Sequence, residues 1–158
     1  MALSPREIAA EDVTDPAPFL RDIGEPCRPV VIRAMVRSWP AVSAGMGSPT
    51  QLRDYLSRFD AGGIAEVFVG EPHIAGKYYY TDDLRGFNFA RARMHFTAAL
   101  DRIVATAANP NGSSMYMGSL SIDQHLPGFA AENQLPFLKT NVAPRIWVGH
   151  ASNVSAHY

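Results

Sequence analysis

Apolar residues in this chain repeat with helical spacing in two places. Leu52, Tyr55, Leu56 and Phe59 fall at i, i+3, i+4 and i+7, one stripe on one face of a helix. The start of that helix is signalled locally: Ser48 suits the N-cap, Pro49 the first helical position, and Gln51 the capping-box partner. Gly62-Gly63 supplies a stop. A second stripe, Phe96, Leu100, Ile103, Val104 and Ala107, predicts a helix over about residues 95–107, ended by Asn109-Pro110-Asn111-Gly112.

Elsewhere the pattern is that of short strands. Pro29-Val30-Val31-Ile32-Arg33 is rich in β-branched residues, as are Ile64 to Val69. Lys77 to Tyr80, Ser114 to Gly118, Arg145 to Val148 and Asn153 to Tyr158 also read as strands. Of the successive Tyr78, Tyr79 and Tyr80, alternation buries at least one or turns it into a cavity. Val36 to Val42, with Trp39-Pro40, reads as a loop carrying an aromatic anchor, and residues 122–133 as irregular with one helical turn. Pro5, Pro16, Pro18 and Pro26 make residues 1–25 and their flank an extended lead-in with no long helix. Strands outnumber the two clear helices and no linker or repeat divides the chain, so the expectation is one α+β, mainly β, domain over residues 1–158.

Composition narrows the function classes. At 158 residues, 47% hydrophobic and 18% charged, the chain has ordinary globular make-up. A formal charge of −1 and a pI near 6.5 give no field for nucleic acid or an anionic membrane. No apolar run reaches the ~20 residues of a membrane helix, and Met1 to Val13 lacks the apolar core of a signal peptide, so a cytoplasmic setting is expected. Cys27 is the single cysteine, which excludes an internal disulfide; with no activating neighbour it is expected as a packed thiol. Asp82-Asp83, adjacent in a loop, reads as a helix cap or a solvated pair, and Arg85, Arg91 and Arg93 as a solvated face.

The histidines carry the candidate chemistry. On a strand, a carboxylate two places after His157 would share its face, which is the start of a 2-His-1-carboxylate iron site; that position lies past Tyr158. His73, His95, His125 and His150 have no i, i+2 or i, i+4 spacing that would make a ready chelate.

From Trp147-Val-Gly-His-Ala-Ser-Asn-Val-Ser-Ala-His-Tyr158, with Pro29-Val-Val-Ile-Arg33 before Trp39-Pro40 and Tyr78-Tyr-Tyr-Thr-Asp82 before Phe87-Asn-Phe89, the chain resembles the cupin-like, JmjC-type Fe(II)/2-oxoglutarate dioxygenases. That group includes the asparaginyl hydroxylase inhibiting hypoxia-inducible factor. The resemblance implies the first part of a double-stranded β-helix (cupin/jelly-roll), incomplete here because the remaining metal ligands would lie beyond the chain end. It implies His157 as an iron ligand, and Tyr116 and Ser155 as hydroxyl donors to 2-oxoglutarate. In an intact parent it implies Fe(II) and 2-oxoglutarate as cofactors, with a protein side chain or a small molecule hydroxylated. By itself the chain would hold neither cofactor tightly, since a lone imidazole cannot hold Fe(II) against water. The alternatives are a non-catalytic cupin-like module binding a ligand or partner, and a truncated product without independent activity. Unpaired strand edges in a partial barrel predict poor solubility or homo-oligomers.

Overall fold

The computed structural model describes residues 5–109, 111–138 and 141–155. The helix expected after Ser48 forms where the cap predicts: the Ser48 hydroxyl accepts from the Gln51 N–H at 3.0 Å, and α3 spans Pro49–Ser57. Its stripe turns Tyr55 and Leu56 inward. The second helix, α4, spans Phe96–Ala107 and buries Phe96, Ala99, Leu100 and Ile103. Its first turn is capped from a distance, because the Asp60 carboxylate accepts from the Thr97 N–H at 3.2 Å.

Helix α4 lies against one face of a four-stranded sheet and α3 packs on α4; the sheet has the order β5-β3-β6-β7, made of β3 Ile64–Gly70, β5 Ala90–His95, β6 Ser114–Ser121 and β7 Arg145–Val148, all antiparallel neighbours. Alternation divides the strands. Ala65, Val67, Met115 and Met117 point into the helical core, with Ala92, Met94, Ile146 and Val148 packed at its margin. Phe68 and Tyr116, in register with one another across β3 and β6, take the opposite face. Two smaller parallel pairs complete the strands: β1 Arg6–Ala9 with β2 Val30–Arg33, and β4 Lys77–Tyr78 with β8 Val154–Ser155.

The remaining helices are short. They are α1 Pro16–Phe19, α2 Pro40–Gly47, α5 Ile122–His125 and α6 Phe129–Glu132. Asn133, just after α6, ties α2 and α6 to α3. Its Nδ2 donates to the Tyr55 hydroxyl (2.7 Å) and the Phe129 carbonyl (2.9 Å), and its Oδ1 accepts from the Ala41 N–H (3.2 Å). Trp39 adds an indole N–H to the Gln134 carbonyl at 2.9 Å.

Several expectations need correction. The chain is a mixed α+β fold, not mainly β. No sheet among the described residues is closed or curled, so the double-stranded β-helix (cupin/jelly-roll) implied by the resemblance is not seen. Helices fill one face of the largest sheet, and β8 pairs with only two residues of β4. Residues 36–42 are not all loop: Pro40 opens α2, because proline at the first helical position forfeits no hydrogen bond. Residues 122–133 hold two helical turns where one was expected. Strand β5 escaped notice, although Ala-Arg-Ala-Arg-Met-His alternates small or apolar with polar residues. Cys27 is exposed, not packed; it sits in a turn at φ 49°.

Candidate functional site

The sheet face away from the helices forms the floor of a groove of about 660 Å³, within the size range of small-molecule sites. Segments distant in sequence meet there: Phe68 on β3, Tyr78 to Tyr80 on and after β4, Phe87 and Phe89, Tyr116 on β6, Arg145 and Trp147 on β7, and Ser155 on β8.

The rings form a continuous series. Tyr80 stacks on Phe87 with centroids 5.2 Å apart, and Phe87 on Phe89 at 4.9 Å. Phe89 then meets Phe68 (5.1 Å) and Tyr78 (5.4 Å), and both contact Tyr116 at 5.7 and 5.6 Å. Tyr78 is 5% exposed, while Tyr79 and Tyr80 are 42% and 59% exposed, so the predicted split of the tyrosines is present. Gly118 makes room for the floor: a Cβ there would lie 2.7 Å from Phe68 Cε2 and 3.3 Å from Tyr116 Cε1.

Charge enters through Arg145. Strand β6 bulges between Met117 and Leu120, with Ser119 at φ 56°, and this turns the Ser119 carbonyl and hydroxyl toward the neighbouring strand. Arg145 Nε donates to that carbonyl at 3.0 Å and to the hydroxyl at 2.7 Å, and Nη2 also donates to the carbonyl. The guanidinium is thereby fixed at the groove wall. The acidic side chain lining the groove, Glu66, faces Arg91 at 3.9 Å. Arg91 lies over the rings of Phe87 and Phe68 at 5.0 and 5.8 Å.

The buried tyrosines keep their protons. Burial raises the Tyr78 hydroxyl above its ordinary value of 10.0, against smaller opposing effects of its bond to Ser114 Oγ (2.8 Å) and of Gly70 and Asn153. Burial likewise raises Tyr55, whose hydroxyl donates to Glu132 at 3.0 Å. Each group holds its proton more tightly folded than unfolded. That contribution to stability is full below about pH 10 and is lost as pH rises through the folded values. Urea midpoints followed between about pH 9 and about pH 11 should therefore fall more steeply for the native protein than for Tyr78→Phe. Parallel profiles would remove Tyr78 from the alkaline response. At the other extreme, Asp83 titrates below the ordinary carboxylate range because Thr81 Oγ1 and the Arg85 N–H donate to it, a turn role where a helix cap or a solvated carboxylate was expected.

Of the residues singled out from sequence, Tyr116 and Ser155 line the same groove. His157 lies outside the described residues. The other histidines are scattered. His73 is in a short turn; His95 Nδ1 is 3.3 Å from the Gly62 carbonyl, and the ring of His125 lies between the carbonyls of Ser121 (3.1 Å) and Ile64 (3.4 Å). His150 Nδ1 accepts from Ser152, and its Nε2, like Asn153 Nδ2, is buried without a hydrogen bond among the described residues. No group of three or more His, Cys, Asp or Glu side chains that could hold a metal ion occurs among the described residues. The expectations of iron, 2-oxoglutarate, metal binding and a dioxygenase thus find no support there, and the donors present do not fit such a centre. Arg145, Gly118, Ser119 and the rings of Phe68, Phe87 and Phe89 were not recognised as site residues. Only the density of aromatics over residues 78–89 could have drawn attention to them, because their convergence depends on strand pairing.

A family model described as a cupin-like domain matches residues 16–158. The chain therefore belongs to the cupin-like domain family. No curated protein matches it. No helix among the described residues is long and apolar enough to cross a membrane.

Proposed function

We propose that this chain is a cupin-like binding module that takes a small organic ligand in the aromatic groove and does not transform it. The observation that carries this reading is the meeting of Tyr78, Tyr116, Arg145 and Ser155, from separate strands, on one groove of about 660 Å³. Aromatic walls with a few fixed polar groups are the usual make-up of a small-molecule site: the walls supply area, and the polar groups supply orientation. Here the hydroxyls and the guanidinium are held by strand pairing, so little order has to be imposed when a ligand enters.

The test is amide NMR with a panel of small organic compounds, neutral and charged, flat and aliphatic. Shifts are expected to cluster at Tyr78, Tyr116, Gly118 and Trp147. A panel that leaves those amides unmoved defeats the reading. Turnover of a bound compound would defeat its non-catalytic half.

A further inference from the structure

The groove's own chemistry narrows the ligand class, and this step rests on the binding reading just given. Three features select. The first is ring geometry: the Tyr80–Phe87 and Phe87–Phe89 pairs are stacked with interplanar angles of 29° and 27°, and Tyr80 and Phe87 are 59% and 41% exposed. Phe87 is already stacked by Tyr80 and Phe89, and Tyr80, the more exposed ring at the end of that series, suits another flat ring better than a puckered aliphatic of the same volume, because an offset-stacked plane meets more atoms and matches the ring quadrupole.

The second is the unused part of Arg145. Its Nε–H and one Nη2–H serve Ser119, whereas Nη1 makes no hydrogen bond or ion pair among the described residues. Both Nη1–H groups and the outer Nη2–H remain, and that end-on edge of a guanidinium matches the two oxygens of a carboxylate. Ser119, held on the bulge, fixes the plane of the guanidinium before any ligand arrives.

The third is charge balance. Among the described residues Glu66 is the acidic one lining the groove and faces Arg91, so a cationic ligand would meet Arg145 without a free acidic partner there, while an anionic one meets a guanidinium that no described carboxylate neutralises. From these features we infer that the groove takes a flat aromatic or heteroaromatic carboxylate, its carboxylate on the outer edge of Arg145 and its ring against the exposed end of the aromatic series at Tyr80.

The probes are 2-naphthoate, its saturated counterpart decahydro-2-naphthoate, and neutral 2-naphthamide, titrated against the whole chain by amide NMR. 2-Naphthoate should bind about tenfold more tightly than either control, moving the Tyr116, Gly118 and Trp147 amides. Arg145→Met should erase its advantage over 2-naphthamide by weakening the acid far more than the amide. If that variant loses its fold, the ranking of the three probes on the native protein decides alone. Equal binding of the saturated acid, with the same amides shifting, overturns the aromatic requirement; equal binding of the amide overturns the anionic one. In both cases the groove stands as a ligand site. Groove amides unmoved by any of the three overturn this inference, while the binding reading itself falls only if the wider panel also leaves them unmoved.

Discussion

Replacing Phe96 by alanine is expected to destabilise the fold by about 3–5 kcal/mol, the largest effect of any single truncation in this chain. Phe96 has no exposed surface, and it opens α4 at the point where helix, sheet and the residues after α3 meet. Its N–H donates to the Gly63 carbonyl at 3.2 Å, so the backbone is held while the ring fills the space between α4 and the sheet. Alanine would keep the helix and leave a ring-sized void that neighbours fixed by strand pairing cannot close. For a chain of this length the loss corresponds to a fall in Tm of roughly 6–20 °C, readable by circular dichroism. Phe96→Leu should recover more than half of it. A variant with an unchanged melt would mean that the Phe96 site collapses without cost, contrary to a close-packed core.

The second large effect is expected at Asn133. It is buried, and its amide serves three elements at once: Tyr55 on α3, the Phe129 carbonyl of α6 and the Ala41 N–H of α2. Asn133→Ala strands more than one buried polar group, each at about 1–3 kcal/mol, for a net loss of about 2–4 kcal/mol. The Tyr55 hydroxyl retains Glu132, which keeps the cost below the sum. Tyr55→Phe in the same background should be milder than in the native protein, with a coupling of about 0.5–3 kcal/mol in a double-mutant cycle from urea midpoints. Strict additivity would show that Asn133 and Tyr55 act independently, and would demote the network to separate contacts.

These two sites differ in how far they could be read from the chain. Phe96 announces itself, because it begins an apolar stripe with helical period that Asn109-Pro110-Asn111-Gly112 brings to a stop. Asn133 has no such signature. A polar residue after Pro127-Gly128 looks like loop, and only the approach of three helices gives its amide something to hold. The same contrast runs through the groove. Tyr116 could be picked out by resemblance and the tyrosine run by its density, but Arg145 becomes a site residue only because β7 pairs with a bulged β6. The expected β-helix failed for a related reason: short β-branched runs predict strands, yet they do not say which strands pair or whether the resulting sheet closes.

The sequence by itself determined the two long helices, the N-cap of α3, their buried faces and the existence of most strands, because these follow from periodicity and local backbone chemistry. Tertiary structure alone decided which strands became neighbours and that helices cover one sheet face. It alone placed a row of aromatic rings and one anchored arginine on the other face. Those outcomes depend on contacts between residues far apart in the chain, such as Arg145 with Ser119, Tyr78 with Ser114 and Asn133 with Tyr55, and no local pattern encodes the partner of a hydrogen bond.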